Sequence, residues 1–282
     1  MKTKKIIIYI ILIATLLSMV LSACAKSNKL NQSITIQSTE LSMSKEKLEE
    51  SVRIIKSRLT NFDANEFEIK AIHSENKIEI TFSEEWKIDE ITPLLIQKGN
   101  LEFCSTFSRS EVKKFVDKKS DVFAILNPDT LGSQIGSVPE VKMQKLQKII
   151  SLLELENKCK FAWSSNSENA IFSLYALNPT PIIKGDDIEN AAREKFDNTG
   201  NNFYISINLK PDAINSWSNA TRENIGKSIA IVLDNKVLAA PMVRSEIKNG
   251  KCQITGDFSE NEAKRFAILI NSELPGSFKI VK

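Results

Sequence analysis

The stretch from Ser206 to Pro275 reads SINLKPDAINSWSNATRENIGKSIAIVLDNKVLAAPMVRSEIKNGKCQITGDFSENEAKRFAILINSELP. It predicts a strand, a helix, a two-stranded hairpin and a second helix. Asp234 and Asn235 tolerate the left-handed backbone of a tight turn, and they lie between two apolar runs. Ser259 and Glu262 form a capping box directly before the second helix. This periodicity predicts a compact α+β unit, and by itself it indicates no function.

The N-terminal segment has the pattern of a lipoprotein signal peptide. Three lysines precede an apolar run over residues 6–21, and Leu-Ser-Ala then leads into Cys24. A basic segment, an apolar segment and small residues before a cleavage point are typical of secretory signals. The position of Cys24 resembles the bacterial lipobox, in which this cysteine becomes the lipidated first residue. We therefore expect a signal peptide at 1–23, a lipid on Cys24 and a polar tether at 24–32. The alternative is a transmembrane anchor, although the run is shorter than the roughly 20 residues of a spanning helix.

The formal net charge of +3 derives from this N-terminal segment. Lys2, Lys4 and Lys5 account for it, so the rest of the chain carries as many acidic as basic side chains. A balanced chain has no general attraction to nucleic acid or to an anionic surface, and we expect no nucleic-acid partner. After residue 21 no apolar run is long enough to span a bilayer.

No set of residues in the sequence supports an enzyme, a metal site or a cofactor. His73 is the only histidine and no Gly-x-Ser-x-Gly surrounds a serine, so neither a zinc site nor a catalytic triad is expected. Besides Cys24 the chain has Cys104, Cys159 and Cys252, and the sequence cannot choose a disulfide pair among them. We therefore expect a non-enzymatic protein.

Several segments resemble the first periplasmic domain of SecD and of fused SecDF, which are membrane proteins that assist protein export. The segments are TRENIGKSIAIVLDNKVLAAP from Thr221, QITGDFSENEAKRFAILI from Gln253, LEFC from Leu101, FAILNPDTLGSQIGSVP from Phe123, KFAWSS from Lys160, FSLYAL from Phe172 and PIIKGDDIENAA from Pro181. The resemblance implies a base and a head that bind unfolded or emerging polypeptide, or Sec translocon subunits. Trp217 and Met242 in the head are the candidate polypeptide-binding residues, although a buried tryptophan is more often part of a core.

The fold class that follows is α+β, with a ferredoxin-like base subdomain and an α+β head subdomain of SecD type. Residues 33–108 have the order β-α-β-β-α-β of a ferredoxin-like fold, and Leu101–Phe107 is the last of these strands. Residues 109–181 are expected to form a connecting or inserted segment. Residues 182–282 are expected to form the head, with a C-terminal return strand.

Two local predictions concern helices. Pro93 is expected to confine the second base helix to its first turn or to split it. Asp186 is expected to cap a helix at 188–193.

The chain also departs from the family pattern. Residues 271–277 lack the second proline of the Ala-Leu-Pro-Ala-Pro motif, and the family's intramembrane charged residues have no counterpart. We therefore expect no proton-driven pulling by this chain alone. The expected location is the cell envelope, with the protein lipid-anchored and facing the periplasm, and Ala25 after Cys24 is compatible with the outer membrane. The alternative function is a repurposed structural or ligand-binding envelope lipoprotein unrelated to export. An exposed apolar groove on the head would favour the export role.

Overall fold

The computed structural model describes residues 30–64, 66–83, 86–116, 121–128, 132–155, 157–165, 170–196 and 202–281. The predicted signal peptide, Cys24 and most of the predicted tether lie outside these ranges. The helices are α1 Lys45–Asn61, α2 Ile88–Ile96, α3 Arg109–Phe115, α4 Val122–Ile125, α5 Glu140–Ser151, α6 Pro211–Glu223 and α7 Glu260–Ile270. The strands are β1 Leu30–Ser38, β2 Phe67–Ile72, β3 Lys77–Ser83, β4 Leu101–Phe107, β5 Gly136–Pro139, β6 Lys160–Ser164, β7 Ile171–Leu177, β8 Ile183–Lys184, β9 Ile188–Lys195, β10 Phe203–Leu209, β11 Ile229–Leu233, β12 Lys236–Ala239, β13 Lys251–Phe258 and β14 Phe278–Val281. Within the described ranges, no helix is both long and apolar enough to cross a membrane.

The base is a four-stranded antiparallel sheet in the order β14-β1-β3-β2, against which α1 and α2 pack. Ile34 and Ile36 of β1 and Ile78 and Ile80 of β3 are buried, because alternate side chains of a strand point to the same face. The α1 residues at helical spacing, Leu48, Ile55 and Leu59, are buried in the same core. The base is therefore an amphipathic sheet covered by amphipathic helices.

The prediction that Leu101–Phe107 closes the base sheet is wrong. This strand pairs antiparallel with β11, with Leu101 opposite Leu233. The fourth base strand is instead β14, which pairs with β1 and restores the ferredoxin-like strand order. Alternating hydrophobicity identifies a strand and its buried face, but it does not choose a partner that lies far away in the sequence.

Two helix predictions are also wrong. α2 continues through Pro93, and the Gln97 N–H still bonds the Pro93 carbonyl at 3.0 Å. Residues 188–193 belong to β9, which pairs with β10. Asp186 lies in a short 3₁₀ turn, where the carboxylate of its neighbour Asp187 accepts from the Lys184 N–H at 2.9 Å. In both places the surrounding structure overrides a local signal.

The head contains a closed ring of five strands. β4 pairs with β11, β11 with β12, β12 with β6, β6 with β7, and β7 again with β4. One buried cluster holds the alternate residues of these strands, Cys104, Ala162, Leu177, Ala230, Val232 and Val237. Small side chains suit the narrow interior of so small a ring.

The main core of the head lies between this ring and a three-stranded sheet in the order β13-β10-β9. Phe103 and Ile231 of the ring, Ile205 of the sheet and Trp217 of α6 all belong to it. α7 packs on the same core through Ala263 and Ala267 and through its C-terminal residues. The helix, hairpin and second helix predicted from Ser206–Pro275 are thus present.

Residues 109–181, predicted as a connecting segment, contribute β5, β6 and β7 to the sheet that forms the ring. α3, α4 and α5 bury their own apolar cluster against these strands, centred on Val112, Ile135 and Leu146. The segment is therefore an integral part of the head in the described structure.

The chain passes between base and head twice, at residues 97–100 and at residues 271–277. The fully buried Arg58 guanidinium of α1 joins the two crossings. It donates to four backbone carbonyls, those of Leu94, Gln97, Lys98 and Ser272. Burial lowers the pKa of Arg58 to about 10, opposed by the charges of Asp234 and Glu273, so the group stays cationic at neutral pH.

Asp234 secures the same junction from the head. It occupies the tight turn between β11 and β12 with φ of 49°. Its carboxylate accepts from the N–H groups of Gly99 at 3.0 Å and Asn100 at 2.9 Å. An ion pair between Lys98 and Glu273 at 3.0 Å adds to these contacts. The junction is thus a network of charge-assisted hydrogen bonds, which are stronger than neutral ones.

Candidate functional site

Trp217 and Met242 line the same cavity of about 420 Å³ in the head. Trp217 comes from α6 and is 4% exposed, whereas Met242 follows β12 and is 63% exposed. The tryptophan is therefore a core residue and a wall of the cavity at once, and the methionine forms its outer lip. The structure brings together the two residues that the sequence singled out.

The cavity wall is mostly apolar. Phe103 of β4 packs edge-on against Trp217, with ring centroids 5.3 Å apart. The remaining apolar wall is formed by Ile229, Ile231, Pro241, Val243 and Ile247. The indole Nε1–H of Trp217 is buried and has no acceptor among the described residues. A buried donor without a partner is uncommon in folded proteins and marks a place where an acceptor could be gained.

The rim of the cavity is basic. Arg244 and Lys251 both line it, and neither side chain has an ion-pair partner among the described residues. The neighbouring carboxylate of Glu246 is engaged elsewhere, since Ser218 donates to it and Arg222 and Lys248 lie within 3.7 Å. The hydrogen bond from Ser218 is the main reason that the pKa of Glu246 is lowered. The rim therefore presents two unpaired positive charges.

The segment that carries Met242, between β12 and β13, forms the lip and is held by specific contacts. Thr221 of α6 donates to the Ser218 carbonyl and accepts from the Ile247 N–H at 2.9 Å. Gly250 ends the segment with φ of +64°, and a Cβ there would lie 2.7 Å from Ile214. Only glycine combines that conformation with that close approach at little cost. The lip is thus fixed to α6 rather than free.

A second, more polar cleft of about 790 Å³ borders the first, and Met242 lines both. Ser108, Glu111, Lys227 and Ser228 are among its lining residues. Hydrogen bonds from Ser108 lower the pKa of Glu111, so this carboxylate is charged at neutral pH. An apolar cavity and a polar cleft therefore meet at one exposed methionine.

Comparisons with known proteins show what this part of the chain is similar to. Residues 161–275 match the family model described as "SecDF, P1 head subdomain". Those residues are similar to the P1 head subdomain of SecDF. The matched range contains Trp217, Met242 and most of the cavity wall. It begins before the predicted head boundary at residue 182.

SecD relatives agree with the match. The chain is 42% identical over 93 residues to the protein translocase subunit SecD of Thermobaculum terrenum, covering 33% of this chain and 18% of the relative. It is 26% identical over 226 residues to SecD of Rickettsia conorii, covering 76% of this chain and 43% of the relative. The chain thus spans less than half the length of these two curated relatives.

Solved SecDF structures share the fold. One, described as a membrane component SecDF that enhances protein export, aligns with a TM-score of 0.53 and 22% identity, covering 89% of this chain and 98% of that chain. A crystal structure of SecDF in a super-membrane-facing form aligns with a TM-score of 0.56 and 21% identity, covering 89% of this chain and 29% of that one. The likeness extends beyond the head subdomain to the base.

The other residues considered from the sequence lie apart from the head cavity, with one exception. Cys252 lines the cavity as a free thiol, and burial raises its pKa to about 12. Cys104 and Cys159 are free and buried elsewhere in the head, each with a pKa raised by burial to about 12. His73 lies on a 3₁₀ turn of the base, with its Nε2 2.9 Å from Glu49. No group of three potential metal ligands occurs within the described ranges.

Sequence reasoning missed Arg244, Thr221 and the first residues of β13 as parts of this site. Thr221 stands out in the sequence only as the first residue of a segment that resembles SecDF, and its bond to Ile247 depends on a turn that the sequence does not fix. Arg244 is one basic residue among many in the sequence. Its position at the rim depends on the path that the chain takes after β12.

Proposed function

We propose that this chain is a lipid-anchored, periplasm-facing accessory of protein export that binds unfolded or emerging polypeptide with its SecDF-type head. The SecD relatives are translocase subunits by name, and one solved neighbour is described as enhancing protein export. Since the chain covers only part of the curated relatives, their role as whole proteins enters as a part of this proposal. The proposal is of a binding protein and not of an enzyme.

The observation that carries the proposal is the groove formed by the apolar cavity and the polar cleft on either side of Met242. An unfolded polypeptide presents apolar side chains and polar main chain in alternation, and a groove with both kinds of wall suits it. Methionine is flexible and polarisable, so it can adapt to apolar side chains of different shapes. Sec translocon subunits are the second class of partner that we propose.

In-cell crosslinking tests this function. A photoreactive residue replaces Met242, and the matched control replaces Val141, which is 89% exposed on α5 and does not line the groove. We expect crosslinks to secreted polypeptides or to translocon subunits from position 242 and far fewer from position 141. Crosslinks from position 242 to one unrelated envelope protein, or to none, would contradict the export role and favour the repurposed lipoprotein.

Lipid anchoring on Cys24 has a separate test. We expect metabolic labelling with a fatty acid and recovery in the membrane fraction for the wild-type protein, and neither for Cys24→Ser. Since Cys24 precedes the first base strand by only a few residues, the base would lie close to the membrane. Membrane recovery of Cys24→Ser without label would indicate an uncleaved transmembrane anchor instead.

A further inference from the structure

The cavity runs along the edge of β13 rather than over one face of its sheet. Lys251, Cys252 and Gln253 are consecutive in the strand, and all three line the cavity. Successive side chains of a strand point to opposite faces, so a space that touches three in a row lies beside the strand edge. The other side is formed by residues 241–245, which follow β12. The cavity is therefore a slot between a strand edge and the lip.

The hydrogen-bond pattern shows which groups of β13 face this slot. The Leu209 N–H bonds the Gly250 carbonyl at 2.9 Å, and Ile207 then lies opposite Cys252 and Ser206 opposite Gln253. In an antiparallel pair only alternate residues exchange hydrogen bonds with the partner strand. Cys252 therefore bonds β10, whereas the N–H and C=O of Gln253 point away from β10. Neither group of Gln253 has a partner among the described residues.

The opposite edge of the same sheet is covered at one position. On β9 the outward-facing residue Ala191 is covered by Asn271, whose side chain bonds both its N–H at 2.8 Å and its C=O at 2.7 Å. Lys251 on β13 is partly covered in the same way, since its N–H bonds the Asn249 side chain at 3.2 Å. Native sheets usually block their free edges, because an open edge can pair with another chain. The edge at Gln253 is open where the slot lies.

We propose that an extended polypeptide segment enters this slot and adds to β13 as a further strand, pairing its main chain with Gln253. This inference rests on the proposed function and specifies how the head holds its substrate. The segment places an apolar side chain against Trp217 and Phe103, and a carbonyl of the segment can accept from the unpartnered indole N–H. The unpaired Arg244 and Lys251 at the rim select for an acidic neighbour over a basic one. Main-chain pairing gives affinity without a fixed sequence, while the cavity and rim give preference.

Gln253→Pro tests the pairing directly. Proline removes the N–H that faces the slot, and it leaves the β10 pairing intact because Gln253 does not bond β10; proline is tolerated at such edge positions. The matched control is Gln253→Ala, which removes the side chain and keeps the N–H. The probe is a fluorescent ten-residue peptide of alternating valine and glutamate, with a valine–lysine counterpart. Equal thermal unfolding of the variants and the wild type establishes that they are folded.

We expect the valine–glutamate peptide to bind the wild type and Gln253→Ala within twofold of each other, and Gln253→Pro at least tenfold more weakly. The valine–lysine peptide should bind the wild type several-fold more weakly than the valine–glutamate peptide. Equal binding by Gln253→Pro and Gln253→Ala overturns the strand pairing and leaves the proposed function standing. Failure of the wild type to bind any unfolded secreted polypeptide overturns both. A wild-type dimer that Gln253→Pro converts to a monomer shows that a second copy occupies the edge, which also overturns the inference.

Discussion

The junction between base and head differs from the slot beside β13 in whether its polar groups have hydrogen-bond partners. At the junction the buried Arg58 guanidinium bonds four carbonyls, and the Asp234 carboxylate accepts two N–H groups. At the slot the Trp217 indole N–H and the main chain of Gln253 have no partner among the described residues. One buried atom of the junction, the Oε1 of Gln97, also lacks a partner among the described residues. The hydrogen bonds that Arg58 and Asp234 make there rigidify the structure, whereas unsatisfied groups at a cavity leave hydrogen bonds for a partner to make. The difference separates the part of the molecule that holds its shape from the part available for binding.

The departures from the family pattern at residues 271–277 belong to the first kind of region. Asn271 covers the edge of β9, and the Ser272 carbonyl accepts from Arg58. Glu273 pairs with Lys98. These residues, which the sequence marks only as a deviation, have structural roles in the return from head to base.

Breaking the junction should have the largest effect. Arg58→Met leaves the carbonyls that Arg58 bonds without their donor, and we expect a loss of about 3–5 kcal/mol in the free energy of unfolding. Urea denaturation measures this value. The control is Arg53→Met on the same helix, where the side chain is 76% exposed and lies 3.9 Å from Glu50. A loss for Arg58→Met no greater than for Arg53→Met would mean that the junction is not a stabilising network.

Uncovering the β9 edge at Ala191 should have the next largest effect. Asn271→Ala removes both hydrogen bonds to Ala191, and we expect a loss of about 1–3 kcal/mol together with concentration-dependent association through β9. Thermal unfolding and light scattering measure the two effects. Asn271→Asp keeps an acceptor for the Ala191 N–H and should fall between the wild type and the alanine variant. A monomeric, fully stable Asn271→Ala would show that the β9 edge needs no cover, and it would weaken the contrast with β13.

A smaller effect is expected at the N-terminal end of α7, the helix that leads into the junction. Hydrogen bonds from the Ser259 hydroxyl and then from its backbone N–H lower the pKa of Glu262 below the ordinary value. A carboxylate with a lowered folded-state pKa stabilises the fold above its unfolded pKa, and that stability is lost as the pH falls through the folded pKa. Because Glu262 is exposed and screened by solvent, we expect only about 0.5 kcal/mol.

The measurement is the free energy of unfolding between pH 7 and pH 3. Glu262→Gln should lower stability at pH 7 and flatten the decline in acid, because the wild type loses the contribution of this carboxylate only as the pH falls below the ordinary pKa of glutamate, about 4.3. Identical pH profiles for the two proteins would mean that the hydrogen bonds between Ser259 and Glu262 do not stabilise the fold.

The smallest effect on stability is expected for a substitution at the rim of the slot. Arg244→Glu replaces an exposed, unpaired cation, and we expect the free energy of unfolding to change by less than about 0.5 kcal/mol. Its effect should appear in binding, as a lower affinity for acidic polypeptide and a weaker dependence on salt. Lys248→Glu is the matched control, because Lys248 is 78% exposed, lies near Glu246 and does not line the cavity. Equal effects of the two substitutions on binding would place the charge preference outside the slot.

The sequence by itself determined the local structure around its strongest signals. The capping box at Ser259 is present at the start of α7. Asp234 and Asn235 form the left-handed turn of the hairpin, with φ of 49° and 65°. The capping box and the turn each depend on residues that are close in sequence, so the local sequence is enough to predict them. The resemblance to SecDF was likewise visible in the amino-acid sequence, and the match over residues 161–275 confirms it for the head.

Only the tertiary structure decided which strands pair and what the site can offer. Leu101–Phe107 and Phe278–Val281 are both short apolar strands, and alternation alone could not say which of them completes the base. Trp217 and Met242 could be named from the sequence, but the slot between them and Gln253 depends on a strand register. An open strand edge consists of backbone N–H and C=O groups, which every residue except proline carries in full. The position of an open edge therefore depends on where a strand has no neighbouring strand to pair with, and the pattern of side chains in the sequence does not show this.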